Sequence, residues 1–250
     1  MTQLQGKIAL VTGAAGGFGE GIARLFVAQG ARVMIADLDA AKASQVAADL
    51  GPSARSVACD VSKSADVQAA VQACVDAFGI PDIVVNNAGT THRNQPMLDI
   101  DEATFDRVFN VNVKSIFHMT HAVLPLMRQR RQGSIINVGS TAGIRPRPGL
   151  TWYNASKGAV NLMTKSMAAE LGPDNIRVNA ICPVMGATGL IEQFLGTADT
   201  PESRAKVVAG IPLGRLSTPD DVAQAALYLA SDASCFITGV ELPVDGGRTI

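Results

Sequence analysis

Two kinds of segment alternate along the chain: short runs of β-branched residues, and longer stretches in which apolar residues recur every three or four positions. The short runs are apolar without alternation, which is typical of strands buried on both faces of a sheet. They predict strands over 7–11, 31–36, 55–59, 82–85, 134–138, 177–181 and 240–244. The longer stretches predict helices over 17–29, 40–50, 65–78, 102–130 (bent near Pro125), 153–171 and 219–230.

Strands that alternate with helices in this way predict an α/β fold. Right-handed crossovers then produce a Rossmann-type, doubly wound parallel sheet with helices on both faces. No stretch resembles a linker and no repeat is present, so we expect a single dinucleotide-binding and catalytic domain over 1–250. The alternation of predicted strands and helices is interrupted at 185–212, a segment rich in Gly, Thr and Ala. We interpret this segment as a substrate lid because it follows the carboxyl end of a strand; a surface insertion is the alternative.

Composition and charge exclude several classes of protein. The 250 residues carry 21 Lys+Arg and 22 Asp+Glu without a basic block, which argues against nucleic-acid and polybasic membrane-surface binding. No stretch supplies the about 20 apolar residues of a transmembrane helix, and no signal core precedes the first strand, so we expect a cytoplasmic protein. The cysteines, at 59, 74, 182 and 235, are widely spaced, which predicts small buried hydrophobes and no metal site.

A glycine-rich turn joins the first predicted strand to the first helix, with the sequence Thr12-Gly13-Ala14-Ala15-Gly16-Gly17-Phe18-Gly19. Glycines allow a diphosphate to approach the backbone N–H groups at a helix N-terminus. The spacing differs from G-x-G-x-x-G, and a simple tight connection is the alternative. The position between strand and helix nevertheless favours dinucleotide binding.

Asp37 ends the second predicted strand, 18 positions beyond Gly19. A carboxylate there can accept both hydroxyls of the adenosine ribose and would repel a 2′-phosphate. Two unit charges about 4 Å apart interact by about 4 kcal/mol at an effective dielectric of about 20. The alternative role for Asp37 is a helix N-cap. Because Arg32 begins the strand and is poorly placed to reach the ribose, we predict NAD(H) as the cofactor.

Tyr153 and Lys157 are four positions apart, so a helix places both on one face. An ammonium favours the phenolate, and lowering a phenol pKa of about 10 by about 3 units requires roughly 4 kcal/mol. A phenol tuned in this way can act as general acid or base. Ser140, 13 residues before Tyr153, follows a predicted strand and can hold the reacting oxygen. A solvated helix face is the alternative for the Tyr–Lys pair.

Together these residues resemble the short-chain dehydrogenase/reductase family over essentially the whole chain. The matching motifs are Thr-Gly-x-x-x-Gly-x-Gly at 12–19, Asp60 in Cys-Asp-Val, Asn-Asn-Ala-Gly at 86–89, Asn112, Ser140, Tyr-x-x-x-Lys at 153–157 and Val-Asp-Gly-Gly at 244–247. Any one of these motifs is only modest support for the resemblance, but all of them together, in this order, are specific to the family. The resemblance implies an NAD(H)-dependent oxidoreductase that interconverts a secondary alcohol and a ketone by hydride transfer.

The resemblance also assigns roles. Tyr153 would be the general acid/base and Ser140 would orient the substrate oxygen. Lys157 would lower the pKa of Tyr153 and bind the nicotinamide ribose, while the Asn112 main chain would hold a water of the proton relay. Val184 stands where the family usually has Gly, so we expect an altered pocket floor. The implied cofactor-binding residues are Gly13, Gly17, Phe18, Gly19, Asp37, Leu38, Asp60, Val61, Asn87, Ala88, Gly89, Tyr153, Lys157, Pro183, Val184 and Thr188.

The substrate stays unidentified. Arg145 and Arg147 lie near the predicted site entrance, where they can bind a carboxylate or phosphate bidentately, be solvated, or pair across a subunit contact. The resemblance also implies a homo-oligomer, commonly a homotetramer. The expected substrate-lining residues are Ser140, Thr141, Ala142, Trp152, Met185 and Gly186.

Two other functions remain open. The first is NADPH-dependent reduction of 3-oxoacyl thioesters by the same residues, which Asp37 disfavours. The second is a non-enzymatic dinucleotide sensor or scaffold. A sensor could dispense with Ser140, Tyr153 or Lys157, yet the chain has all three.

Overall fold

The computed structural model describes residues 2–186 and 189–250. Over these residues, seven strands form one sheet in the order β3-β2-β1-β4-β5-β6-β7. Every neighbouring pair is parallel, which confirms the predicted doubly wound sheet. The strands are β1 (Ile8–Thr12), β2 (Arg32–Asp37), β3 (Ala54–Ala58), β4 (Ile83–Asn86), β5 (Gly133–Val138), β6 (Ile176–Pro183) and β7 (Glu241–Val244).

Helices cover both faces of this sheet, because each strand presents apolar side chains alternately to the two sides. In β1, Ala9 and Val11 belong to the core cluster that contains α1, α2 and α9, whereas Leu10 belongs to the cluster that contains α3, α5 and α6. The helices are α1 (Gly17–Ala28), α2 (Ala40–Leu50), α3 (Ser64–Phe78), α4 (Glu102–Phe109), α5 (Ser115–Arg130), α6 (Thr151–Leu171), α7 (Ile191–Leu195), α8 (Pro201–Val208) and α9 (Pro219–Ala230).

The helix predicted over 102–130 is interrupted earlier than expected. A π-helical turn, Asn110–Lys114, separates α4 from α5, and Pro125 lies inside α5. The extra residue in such a turn changes the direction of neighbouring side chains, and π turns are frequent at functional sites. Here the turn contains Asn112, whose side chain is buried.

The segment 185–212 is more regular than its composition suggested. It contains α7 and α8, and α8 begins with Pro201 after a capping box between Thr200 and Ser203. A cap and a first-position proline stabilise a short helix even where its interior is weakly helical. Thr188, a predicted cofactor residue in this segment, lies outside the described residues.

Three of the four cysteines are buried, as predicted, but Cys235 is exposed. It follows a short turn at the surface between α9 and β7, where no helix covers it. Among the residues that the structure describes, no group of three or more His, Cys, Asp or Glu side chains could hold a metal ion. No helix in the described part is long and apolar enough to span a membrane.

The α1 face of the core supplies a stability prediction. Phe26 is 0% exposed, so Phe26→Ala should lower the free energy of unfolding by about 3–5 kcal/mol through lost burial and a cavity. Phe236 is 100% exposed, and Phe236→Ala should change it by less than about 0.5 kcal/mol. Urea denaturation of both variants measures the difference. Equal losses would contradict the packing described here.

Candidate active site

The carboxyl ends of the strands open onto one cavity of about 830 Å³. It lies where β1 neighbours β4 and the strand order reverses, which is the usual ligand position in open α/β sheets. Most of the predicted site residues line it. They are Gly13, Gly17, Phe18, Asp37, Leu38, Asp60, Val61, Asn87, Ala88, Gly89, Ser140, Thr141, Ala142, Tyr153, Lys157, Pro183, Val184, Met185 and Gly186.

The glycine-rich turn lies against the end of β4 so closely that side chains are excluded. Gly13 has a φ of 62°, and a Cβ there would lie 2.8 Å from Ala88 Cα. Gly19 lies below the cavity rather than in its wall, and a Cβ on it would collide with the Gly13 carbonyl oxygen. The turn therefore needs glycine for its own packing, and it leaves backbone exposed at the N-terminus of α1.

Thr12 and Asn87 fix the shape of this turn. The Thr12 hydroxyl accepts hydrogen bonds from the backbone N–H groups of Asn87 and Ala88, both at 3.1 Å. The Asn87 side-chain amide donates to the carbonyl oxygens of Thr12 at 2.8 Å and Gly13 at 2.9 Å. The Asn87 side chain is thus engaged by the turn, so its contribution to ribose binding would come from its backbone and position.

Asp37 is oriented by two backbone donors. Its carboxylate accepts from the N–H of Ala15 at 2.9 Å and from the N–H of Asp39 at 2.9 Å. The N-cap of α2 is Asp39, which accepts from the N–H of Lys42, so the N-cap alternative for Asp37 is wrong. The Lys42 ammonium pairs with Asp39 at 3.2 Å, and both residues line the same end of the cavity.

Tyr153 and Lys157 lie one turn apart on α6 and are both buried. The Lys157 ammonium donates to the Val138 carbonyl oxygen at the end of β5, at 2.7 Å. Ser140 follows the same strand, and its hydroxyl accepts from the N–H of Ala142 at 3.0 Å. Tyr153, Lys157 and Ser140, the three residues predicted to act on the substrate, therefore lie together at the end of β5.

Burial dominates the protonation of this group. It raises the pKa of Tyr153 to about 12, although a hydrogen bond with Ser140 lowers it in part. Burial also lowers the pKa of Lys157 to about 8. The expected net lowering of the Tyr153 pKa is therefore wrong for this structure, because desolvation penalises both charged forms. At neutral pH Tyr153 keeps its proton.

Asn112 supports the site from behind instead of lining it. Its side-chain oxygen accepts from the Thr90 N–H at 2.8 Å, and its amide donates to the Thr90 carbonyl at 2.9 Å. The same amide donates to the Ser156 hydroxyl at 2.9 Å. These bonds connect the loop after β4 to α6. They leave the predicted role of the Asn112 main chain untested.

Trp152 does not line the cavity, contrary to the prediction. Adjacent residues on a helix point about 100° apart, so Trp152 faces away from its neighbour Tyr153. Its ring packs edge-on against Phe105 with centroids 5.4 Å apart, and its N–H donates to the Met97 carbonyl. The ring beside Tyr153 is instead that of Phe194, with centroids 5.0 Å apart.

Sequence reasoning missed several lining residues, because they come from segments without a motif. Leu150 and Phe194 form an apolar wall with Ala142 and Tyr153. Of these residues, only Phe194 could have been suspected from the sequence, because it is an aromatic residue within the segment 185–212. The other missed residues with functional side chains are Asp39, Lys42, Cys59, Thr90, Arg107, Lys206 and Arg248.

The buried ammonium of Lys157 predicts a pH-dependent stability. It loses its proton near pH 8 in the folded chain, against about 10.4 in an unfolded one. Between these values the unfolded chain binds more protons, so stability rises with pH. Relative to Lys157→Met, the wild type should gain about 2 kcal/mol between about pH 7 and about pH 9.5. Urea denaturation at both pH values tests this; the exposed control Lys114→Met should show no such difference, and a gain that is absent would contradict the burial.

Comparison with known proteins gives the same assignment over the whole chain. Residues 13–249 match the family model described as enoyl-(acyl carrier protein) reductase. The chain is 48% identical to 4-formylbenzenesulfonate dehydrogenase of Comamonas testosteroni, over 99% of each protein. It is 39% identical to the 3-oxoacyl-(acyl-carrier-protein) reductase of Thermotoga maritima, over 99% of this chain and 100% of that one.

A solved structure is equally similar. The crystal structure of 3-ketoacyl-(acyl-carrier-protein) reductase from Brucella melitensis complexed with NADH superimposes with a TM-score of 0.93 at 47% identity. The similarity covers 99% of this chain and 100% of that one. With the fold, the motifs and these similarities in agreement, the chain belongs to the short-chain dehydrogenase/reductase family and is an oxidoreductase that acts on CH–OH groups.

Proposed function

We propose that the protein is an NAD(H)-dependent oxidoreductase that interconverts a secondary alcohol and a ketone. One observation carries the proposal. Tyr153, Lys157 and Ser140 line the same continuous cavity as the glycine-rich turn and Asp37. A dinucleotide and a small substrate can therefore share one cavity beside the buried phenol of Tyr153.

The half of the cavity above β1 to β3 fits a nicotinamide dinucleotide. Gly16 and Gly17 line the cavity at the N-terminus of α1 and carry no side chain there, which leaves room for a diphosphate beside the backbone N–H groups. Asp37 and Leu38 would lie beside the adenosine ribose, with Asp60 and Val61 near the adenine. When bound, the cofactor would supply or accept the hydride.

The chain itself handles the proton. Tyr153, which keeps its proton at neutral pH, donates it to the carbonyl oxygen as that oxygen becomes a hydroxyl. Ser140 lies beside the phenol and holds the same oxygen. In the reverse direction Tyr153 accepts the hydroxyl proton, and Lys157, which is charged below its pKa of about 8, favours the phenolate.

The preference for NAD(H) rests on Asp37. Its carboxylate is oriented by two backbone N–H groups at the position where a 2′-phosphate would sit. The nearby Lys42 is paired with Asp39, and the Arg32 guanidinium lies over the Phe78 ring at 5.7 Å. Among the described residues that line the cavity around Asp37, no arginine is present that could bind a 2′-phosphate.

The names of the relatives favour a second candidate. Two of them are 3-oxoacyl or 3-ketoacyl reductases, and the Brucella protein was crystallised with NADH. Reduction of a 3-oxoacyl thioester would use the same residues in the same way. Turnover of acetoacetyl-coenzyme A against acetophenone, each with NADH, would separate the two candidates.

We also infer that 185–212 acts as a lid and that the protein assembles as a homotetramer. Leu190, Phe194 and Lys206 from this segment line the cavity, which supports the lid. Phe117 on α5 and Leu162 on α6 are more than half exposed, and apolar side chains on neighbouring helices favour contact with another copy.

The chain has two tyrosines, which makes a matched test possible. Tyr153→Phe should lower kcat about 10²- to 10⁴-fold, because the proton donor is removed while the ring is kept. NADH binding, followed by fluorescence, should be unchanged. Tyr228→Phe, on the partly exposed face of α9, should keep full activity. Unchanged turnover in Tyr153→Phe would refute the mechanism.

Cofactor choice has its own test. Asp37→Asn keeps the size of the side chain and removes its charge, so the ratio of kcat/KM for NADH over NADPH should fall about tenfold or more. Asp49→Asn removes an exposed carboxylate on α2 that pairs with Arg24, and it should leave the ratio unchanged. An equal ratio in both variants would show that Asp37 does not select the cofactor.

A further inference from the structure

Charge is divided between the two halves of the cavity. The carboxylates that line it are Asp37, which ends β2, Asp39, which follows it, and Asp60, which follows β3, so all three lie at one side of the sheet. Arg147, between β5 and α6, and Arg248, after β7, line the half that lies over the other side. No acid is present among the described lining residues in that half.

Arg147 and Arg248 have no acidic partner within the described residues, and neither guanidinium donates a hydrogen bond there. Arg147 is half-buried, and its pKa is lowered by burial and by the like charge of Arg248. The Arg248 guanidinium lies close to Gly210, where a Cβ would be 3.6 Å from its Nε. Two like charges are thus held near each other beside the lid.

Most other arginines of the described chain pair with a carboxylate or donate hydrogen bonds within it, and Arg32 instead lies over the Phe78 ring. Arg204 and Arg215, for example, form ion pairs with Asp199 and Asp221 at 2.6 Å. Arg145, the other arginine of the same loop, donates to the carbonyl oxygens of Arg248 and Ile250. Its guanidinium therefore braces the C-terminal segment rather than facing an anion.

An unpaired, partly buried guanidinium is costly, and a second one beside it raises the cost. A carboxylate or sulfonate offsets this, because two of its oxygens accept parallel hydrogen bonds from one guanidinium and its charge reduces the repulsion between two. The exposed Lys206 of α8 lines the same half and adds another positive charge.

Apolar side chains line the same cavity beside the Tyr153 phenol. Leu150 and Ala142 pack with Tyr153, and the Phe194 ring meets the Tyr153 ring at an interplanar angle of 70°. This wall excludes water from the body of a substrate and offers it no hydrogen bonds. The fitting substrate is apolar in the middle and charged at one end.

We propose that Arg147 and Arg248 form a subsite for a carboxylate or sulfonate on the substrate, whose apolar body lies along Leu150 and Phe194 and whose carbonyl or hydroxyl reaches Tyr153. The subsite deepens the proposed function and rests on it for the reacting end only. It makes the substrate a hydroxy or oxo compound with a remote anionic group.

Binding can be measured without turnover. Benzoate, benzenesulfonate and uncharged benzamide are titrated by calorimetry into the protein saturated with NADH or NADPH, whichever it binds. We expect at least one anion to bind about tenfold or more tightly than benzamide. The preference between benzoate and benzenesulfonate identifies the anion. Benzamide binding as tightly as both anions would overturn the subsite.

Variants of Arg147 and Arg248 test whether these two side chains bind the anion. Arg147→Gln and Arg248→Gln should each weaken anion binding about tenfold or more and leave benzamide binding within about twofold. The matched control is Arg55→Gln, an exposed arginine at β3 that donates to neighbouring carbonyls, and it should change neither. Unchanged anion binding in both cavity variants would overturn the proposal. A double variant that alters only the oligomeric state, measured by light scattering, would assign the two arginines to a subunit contact instead and overturn it too.

Turnover separates this inference from the proposed function. Acetophenone, 4-acetylbenzoate and 4-acetylbenzenesulfonate are compared as ketones, and we expect a KM about tenfold or more lower for at least one charged ketone. Reduction of acetophenone with no preference for charge would refute the subsite and leave the proposed function. Anion binding without reduction of any ketone would refute the proposed function and leave the subsite.

Discussion

The hydrogen bonds that join the end of β1 to the end of β4 hold the whole site together. These two strands are neighbours in the sheet, yet the chain leaves β1 for α1 on one face and leaves β4 for the helices on the other. A crevice opens between the two departing segments. Thr12 and Asn87 bridge it with both backbone and side-chain groups. The glycine-rich turn, the loop that contains Gly89 and the cavity above them all depend on this bridge.

Burial is the second organising constraint, and it acts on Tyr153 and Lys157, the residues proposed for the chemistry. Tyr153 and Lys157 lie against the apolar end of β5, so water stabilises neither the phenolate nor the ammonium well. The hydrogen bond from Lys157 to the Val138 carbonyl and the contact of Tyr153 with Ser140 offset part of that cost. A phenol that holds its proton is suited to donate it to a carbonyl oxygen, and an ammonium that gives up its proton more readily than usual can take part in its resupply.

The two halves of the cavity differ in the polarity and charge of the residues that line them. Over β1 to β3 the lining is backbone and carboxylate, which suits a ligand with a diphosphate and ribose hydroxyls. Over β5 to β7 it is an apolar wall edged by two unpaired guanidinium groups. The fold is shared by many oxidoreductases, whereas the second half is lined by loops and by the segment 185–212, and binding residues occur disproportionately on loops.

Local sequence predicted the parallel sheet, most of its helices and most of the residues that line the cavity, because buried strands, glycine turns and a Tyr-x-x-x-Lys spacing act within a few positions along the chain. It misjudged features that depend on what packs nearby: the π turn at Asn110–Lys114, the exposure of Cys235 and the direction of Trp152. The direction of the Tyr153 pKa shift and the placement of Arg147 and Arg248 on one cavity were likewise decided by tertiary structure. Desolvation and the approach of residues about 100 positions apart are properties of the folded core, and no local pattern encodes them.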